Sequence, residues 1–321
     1  MAENAMAAAA SCDRVSAGRE VAVASEELAT VRDLLLGIDL DALTIAERRA
    51  AIESVAAQPP PGTAVESADA GGVPAEWVAA AGVRSGRVLL YLHGGAYQIG
   101  SPATLRRMVA LISGAAQVRV LSIDYRLAPE DPFPAAVDDA VAAYRFLLGS
   151  GADPADVTIA GDSAGGGLAL ATLVALRDAG DRLPAGAVAM SPWTDLALTG
   201  ESLRTRADVD VMIKPAGMTE TAATYLAGAD PRHPYASPLY ADLHGLPPIL
   251  IHVGDAEVIL DDSTRFAAKA RAAGVDVTLE VWPEMPHVWQ ALAGLLPESD
   301  QAIQRIGSWL QARCPAARPR A

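Results

Sequence analysis

The chain has 321 residues, 51% of them hydrophobic, enough to bury one large core or two smaller ones. A formal net charge of −14 argues against a polyanionic partner such as nucleic acid, and no apolar run approaches the ~18 residues of a membrane span. Cys12 and Cys314 lie near opposite ends without CxxC or metal-ligand spacing, which points to free thiols rather than a disulfide framework or a zinc site.

Residues before about Ser25 are alanine-rich and aperiodic, and around Ala7 to Ala10 there is neither the basic region nor the long apolar stretch of a signal peptide. The chain therefore reads as soluble and cytoplasmic, with a mobile N-terminal tail. Two helices are expected next. Leu28, Val31, Leu34 and Leu35 recur at helical spacing and stop at Gly37, while Thr44-x-x-Glu47 is a capping box before a stripe that includes Ile52 and Val55. Pro59, Pro60 and Pro61 end the second helix. A sheet does not require two helices ahead of its first strand, which leaves them available as a cover.

From about Val73 the pattern alternates between strand and helix. Val88 to Leu92 is a continuous apolar run suited to a strand buried on both faces, and Ser101-Pro102 then resembles an N-cap and first helical residue leading Leu105, Met108, Val109 and Ile112. Val118 to Ile123 reads as strand, and Val137, Val141, Tyr144 and Leu148 as helix. Further strands fall at Val157 to Ile159, Ala187 to Met190, Ile249 to Val253 and Val275 to Val281, with a closing helix through Ser308 to Ala312. Such alternation implies a mainly parallel sheet covered on both faces. Between Asp195 and Pro247 it is interrupted by a helix near Ala216 to Leu226 and the turn-rich Asp230-Pro-Arg-His-Pro-Tyr. That insertion reads as a lid joined by the N-terminal helices, the other reading being an ordinary surface excursion. The expected organisation is a tail and cap helices over 1–60, a catalytic domain over 61–321, and a cap insertion at about 196–240.

The stretch Val157-Thr-Ile-Ala-Gly161-Asp-Ser163-Ala-Gly165 places a serine at the tip of a sharp strand-to-helix turn, with glycines where a Cβ would collide with its neighbours. Ser163 is the candidate nucleophile, although a tight turn with an incidental serine has the same five-residue signature. A base and a carboxylate should follow it, just past strand ends. Of the five histidines, His252 sits inside an apolar strand, His233 and His244 lie in the insertion and His93 precedes the serine. His287, in Glu284-Met-Pro-His-Val after the last strand, remains as the base. After the strand ending at Val253, Asp261 and Asp262 suit the start of a helix, leaving Asp255 and Glu257, which position alone does not separate. His93-Gly94-Gly95-Ala96-Tyr97 follows a buried strand and can turn amides toward the site, as can Ala164 at the helix start. No Gly-Lys-Ser/Thr follows the glycines, so a phosphate loop is not expected.

Together with Asp124-Tyr-Arg-Leu-Ala-Pro-Glu130, Pro132-Phe-Pro-Ala-Ala136, Ser191-Pro-Trp-Thr-Asp195 and Met285-Pro-His-Val288, these motifs resemble the bacterial hormone-sensitive-lipase family of esterases from about Val73 to the C-terminus. The resemblance implies an α/β-hydrolase fold with a helical cap, hydrolysis of small carboxylic esters, and no metal or organic cofactor. It implies Ser163, Glu257 and His287 as the triad, with Asp255 as the fallback acid, and an oxyanion hole from Gly94, Gly95, Ala96 and Ala164. Tyr97, Asp162 and Trp193 are expected at the substrate, with Met212 on the lid. The sequence departs from the family at Ala96, where a third glycine is usual, at Glu257, where aspartate is commoner, and at Asp131 and Gly167, which are not catalytic positions. A lactone hydrolase or an amidase would use the same triad, and a non-catalytic ligand-binding protein on this scaffold is disfavoured by the intact His287. A homodimer through the last strand and helix, as in family members, is left open.

Overall fold

A computed structural model describes residues 25–36 and 43–313; the expected tail, the Gly37 stop signal and both cysteines lie outside them. The strands are β1 (Ala64–Asp69), β2 (Pro74–Ala79), β3 (Val88–Leu92), β4 (Arg119–Ile123), β5 (Val157–Asp162), β6 (Gly186–Met190), β7 (Ile249–Gly254) and β8 (Val277–Trp282). They form one eight-stranded sheet in the order β1-β2-β4-β3-β5-β6-β7-β8. β1 and β2 pair antiparallel, β2 joins β4 antiparallel, and the strands from β4 to β8 run parallel. The β1–β2 hairpin begins ahead of the alternation read in the sequence. β1 is almost wholly exposed, so the apolar signal that marks the inner strands is missing from it.

The helices are α1 (Glu26–Leu36), α2 (Ile45–Ser54), α3 (Pro102–Ala116), α4 (Ala135–Gly149), α5 (Ala164–Asp178), α6 (Ser202–Thr205), α7 (Pro215–Leu226), α8 (Leu260–Ala272) and α9 (Pro297–Arg313). Ser101 caps α3 with Pro102 as its first residue, and Thr44 and Glu47 form the capping box of α2. Successive residues of β3 feed opposite faces. Leu90 and Leu92 join the core with Leu168, Leu173 and Phe266 from α5 and α8, whereas Leu89 and Tyr91 join Met108, Ile112, Ile306 and Leu310 from α3 and α9. α2 departs from expectation. Its stripe does not reach the core, with no residue of the helix buried and Val55 exposed, and the helix ends at Ser54 before the prolines. No helix among the described residues is long and apolar enough to cross a membrane.

The sheet order carries a functional consequence. The chain goes from β3 outward to β4, then returns across β3 to β5, so the direction of winding reverses between β3 and β5. The loops leaving the carboxyl ends of those two strands lie side by side at this switch point, the place where open α/β sheets bind their ligands. They are the His93–Tyr97 loop and the turn at Ser163.

Candidate active site

Ser163 sits between β5 and α5 with φ 53° and ψ −123°, outside the regions an L-residue favours. The surroundings hold it there: its N–H donates to Met190 O at 2.8 Å, and its carbonyl accepts from Gly167 and Trp193 N–H, both at 3.0 Å. The turn closes only because its flanks lack side chains, since a Cβ on Gly165 would lie 2.1 Å from Leu92 O and one on Gly161 2.2 Å from Gly165 O.

The Ser163 hydroxyl lies 2.8 Å from His287 Nε2, and His287 Nδ1 lies 2.8 Å from Glu257 Oε2. Glu257 is fully buried, and its other oxygen accepts from Gly254 N–H at 2.5 Å and from the Ser191 hydroxyl at 2.7 Å. Asp255 does not compete; it turns to the rim and accepts from Glu284 N–H at 2.6 Å. Of the two acids that strand position could not separate, the fold brings Glu257 to the histidine. Burial opposes the charged imidazolium, but the hydrogen bond and charge of Glu257, with the charges of Asp210 and Asp162, outweigh it and hold the His287 pKa above the ordinary histidine value. A histidine so placed can take the serine proton and stabilise its own cation.

The turn carrying Glu257 is braced from several sides. Asp210, buried in the insertion, accepts from Val258 N–H at 2.8 Å, and the Ser202 hydroxyl donates to Val258 O at 2.6 Å. Asp261 and Asp262 lie in the first turn of α8, as their placement in the sequence suggested, and also grip the chain after β6: Asp261 accepts from Ser202 N–H, and Asp262 from Thr194 and Asp195 N–H. Burial, reinforced by the neighbouring Asp195 charge, pushes the Asp262 carboxyl up to about 8.

The loop after β3 requires one correction. The Gly94 N–H, expected in the oxyanion hole, donates to Asp162 Oδ1 at 3.0 Å. The N–H groups of Gly95 and Ala96 donate to no acceptor among the described residues, and Ala164 heads α5, where the first amides lack intrahelical partners. Gly95 adopts φ 121° with Ile99 O only 2.0 Å from where a Cβ would stand, so this position requires glycine. Ala96 takes φ 56°, reaching the left-handed region at some strain where the family usually has glycine.

The three residues expected at the substrate are buried and engaged elsewhere. Asp162 Oδ1 accepts the Tyr91 hydroxyl at 2.6 Å as well as Gly94 N–H, and burial raises its pKa to about 6 against those hydrogen bonds. Tyr97 stacks on Tyr225 with centroids 3.8 Å apart, and Trp193 packs beside Tyr97 and donates its backbone N–H to Ser163 O. Met212, by contrast, is exposed on the insertion. His93 is a buried loop residue stacked on Tyr125, its pKa lowered to about 4 by burial. His252 is buried in β7, as its strand context implied. Ser191 was not singled out from the sequence. Its signal is a hydroxyl residue at the carboxyl end of a fully buried strand lying between the serine strand and the acid strand. Among the described residues, no group of three or more His, Cys, Asp or Glu side chains is placed to hold a metal ion.

A serine on a strand–helix elbow, bonded to a histidine that is bonded in turn to a carboxylate, all on the carboxyl edge of this sheet, defines the layout of an α/β hydrolase. The chain belongs to that group: the family model described as the α/β-hydrolase fold matches residues 89–291. Within it the chain is a carboxylic ester hydrolase of the bacterial hormone-sensitive-lipase family. It is 52% identical to an acetyl-hydrolase of Streptomyces hygroscopicus over 252 residues, covering 78% of this chain and 83% of that protein. An esterase of Acinetobacter venetianus is 38% identical over 224 residues, covering 70% and 74% respectively. The crystal structure of EstE5 soaked with p-nitrophenyl butyrate superposes with a TM-score of 0.88 at 49% identity, covering 91% of this chain and all of that one.

Proposed function

We propose that this carboxylesterase is a serine enzyme acting through an acyl-enzyme on esters of short carboxylic acids, with Ser163, His287 and Glu257 as its triad. The observation that carries the reading is the unbroken hydrogen-bonded line from Ser163 Oγ through both nitrogens of His287 to Glu257. His287 takes the Ser163 proton as the hydroxyl attacks the ester carbonyl, and the alcohol leaves with that proton. Water then repeats the sequence on the acyl-enzyme, while Glu257 holds the imidazole tautomer and stabilises its cation. The Gly95, Ala96 and Ala164 amides face the developing oxyanion; each such donor contributes ~2.7–4 kcal/mol to the transition state. Gly94 acts one step back, its N–H fixed by Asp162 so that the next two peptides hold their orientation.

The cover over this edge is assigned to α1, α2 and the 196–240 insertion. Arg32 of α1 donates to Val209 O at 3.2 Å, joining the two parts, and Gln98, just past the oxyanion loop, reaches Thr221 O of α7 at 3.3 Å. The names of the relatives, an acetyl-hydrolase and a protein soaked with p-nitrophenyl butyrate, support a short acyl group. A panel of p-nitrophenyl acetate, butyrate and decanoate, a lactone and a p-nitroanilide tests the substrate class, with the two short esters expected to turn over fastest. Ser163→Ala is expected to abolish both turnover and labelling by a fluorophosphonate probe; labelling that persists in this variant sinks the assignment.

A further inference from the structure

Ser191 directly follows β6, the strand between the one that carries Ser163 and the one that leads to Glu257. It is completely buried and has φ 45°, a left-handed backbone that serine rarely adopts. Two bonds converge on its hydroxyl, which donates to Glu257 Oε1 at 2.7 Å and accepts from Val288 N–H, the peptide after His287, at 3.2 Å. The flanking backbone touches the third member, since Met190 O accepts from Ser163 N–H and Trp193 N–H donates to Ser163 O. One short segment therefore meets the serine, the acid and the residue after the base.

We propose that Ser191 is a positioning residue of the triad, whose hydroxyl fixes the carboxylate of Glu257 and ties it to the peptide following His287. The proposal rests on the triad reading given above. A glutamate has one more side-chain torsion to hold than the aspartate commoner in this family, so its carboxylate needs more restraint to keep one oxygen on the imidazole. Gly254 N–H and the Ser191 hydroxyl both grip Oε1, and two donors on one oxygen fix the plane that leaves Oε2 facing His287 Nδ1. With one donor the carboxylate can rotate. The charged groups around His287 are Glu257, Asp210 and Asp162, none of which approaches Ser191 except Glu257. A glycine would adopt the backbone at 191 without strain, so a serine there is accounted for by the two bonds of its hydroxyl rather than by the turn.

The test compares Ser191→Gly and Ser191→Ala with Ser163→Ala, each in the full chain, on p-nitrophenyl butyrate. Both Ser191 variants should lose about ten- to a hundredfold in kcat, the range of one hydrogen bond to a buried charge, with KM within about twofold. The acid limb of kcat/KM should move to lower pH, because a loosened Glu257 no longer holds the His287 pKa up. On a Glu257→Gln background, Ser191→Ala should cost little more. Should Ser191→Gly fail to fold, Ser191→Cys, with a poorer donor in the same place, carries the same readouts and should fall between wild type and alanine. A kcat within about twofold of wild type, or an acid limb that stays in place, overturns the proposal; so does a limb that moves up, which would mean that the hydroxyl tunes charge rather than position. An active or probe-labelled Ser163→Ala overturns the triad itself, whereas an inactive Ser163→Ala beside fully active Ser191 variants removes only the role of Ser191.

Discussion

Glu257 and Arg49 are each held by several polar bonds, but they belong to regions built on opposite terms. Glu257 is fully buried, accepts Gly254 N–H, the Ser191 hydroxyl and His287 Nδ1, and stands on a turn gripped by Ser202 and Asp210. Arg49 crosses from α2 to the body, donating to Gln98 O, Ala128 O and both oxygens of Glu130, yet its side chain keeps 31% of its surface exposed and that of Glu130 58%. No residue of α2 is buried beneath it. Bonds inside the protein act at low effective dielectric and cost a desolvated partner when broken; bonds at the surface exchange with water at small net cost. The edge that carries Glu257 is therefore held firmly and α2 only lightly, whereas α1 is anchored through the buried Leu28 and Val31.

The largest expected effect lies on the buried side. Glu257→Gln keeps the shape of the acid and removes its charge, and should lower kcat by about 10³–10⁴-fold, as loss of the triad acid does elsewhere. Asp255→Asn, two residues away and bonded only to the rim at Glu284, should stay within a few-fold of wild type. Steady-state kinetics of the pair checks the comparison directly, and the reverse ranking breaks it. Next in size is the pH response. His287 must be neutral to accept a proton, and its pKa is held above the ordinary histidine value, so log kcat/KM should fall with unit slope as pH drops through a midpoint above about 6.5. In Glu257→Gln, whatever activity remains should show its midpoint at lower pH.

Much of this edge was legible because chemistry and topology constrain it together. Gly161, Ser163 and Gly165 could be read from steric necessity, and His287 from its place beyond the last parallel strand. The choice between Asp255 and Glu257 was not legible from strand position, because both follow β7 and the direction of each side chain is set by the turn between them. The resemblance to the family supplied Glu257, and the fold brings that residue to the imidazole. Tyr97, Asp162 and Trp193, expected at the substrate, are all buried, Tyr97 against Tyr225 and Trp193, and Asp162 on Gly94 N–H and the Tyr91 hydroxyl. Strand β1 and the polar attachment of α2 escaped for a shared reason: neither buries an apolar stripe, and burial is what periodicity reports.

A smaller effect tests the buried braces without touching the reaction. Burial and the Asp195 charge raise Asp262 to about 8 in the folded protein, well above the ordinary carboxylate value. A group shifted this way contributes its full stability below about pH 4 and loses it as pH rises toward 8, because the folded state then holds a proton that the unfolded state has released. Asp262→Asn keeps an acceptor for the Thr194 and Asp195 amides and does not ionise. Its melting temperature relative to wild type should thus rise between about pH 5 and 8.5, measured by calorimetry; a flat difference would mean that the grip on loop 194–195 does not depend on protonation.

The smallest effect belongs to the surface. Arg49→Ala removes three attachments of α2, but exposed pairs contribute ~0–1 kcal/mol each and long side chains regain entropy when released, so the melting temperature should fall by only about 1–4 °C. The Arg49 hydrogen bonds hold the Glu130 carboxyl down to about 2, so the pair stays ionised across the working range and added salt, rather than pH, should weaken it. Because Arg49 also bonds Gln98 O and Ala128 O, next to the oxyanion loop and its support, loosening it should raise KM for p-nitrophenyl butyrate about two- to threefold with kcat nearly unchanged. In wild type, raising the ionic strength from 0.05 to 1 M, over which the Debye length shrinks from ~14 to ~3 Å, should shift KM in the same direction, and in Arg49→Ala it should not. A fall in kcat comparable to that of Glu257→Gln would show that α2 is part of the rigid edge after all, since loss of its exposed attachments can change access to the site but not the alignment of Ser163, His287 and Glu257.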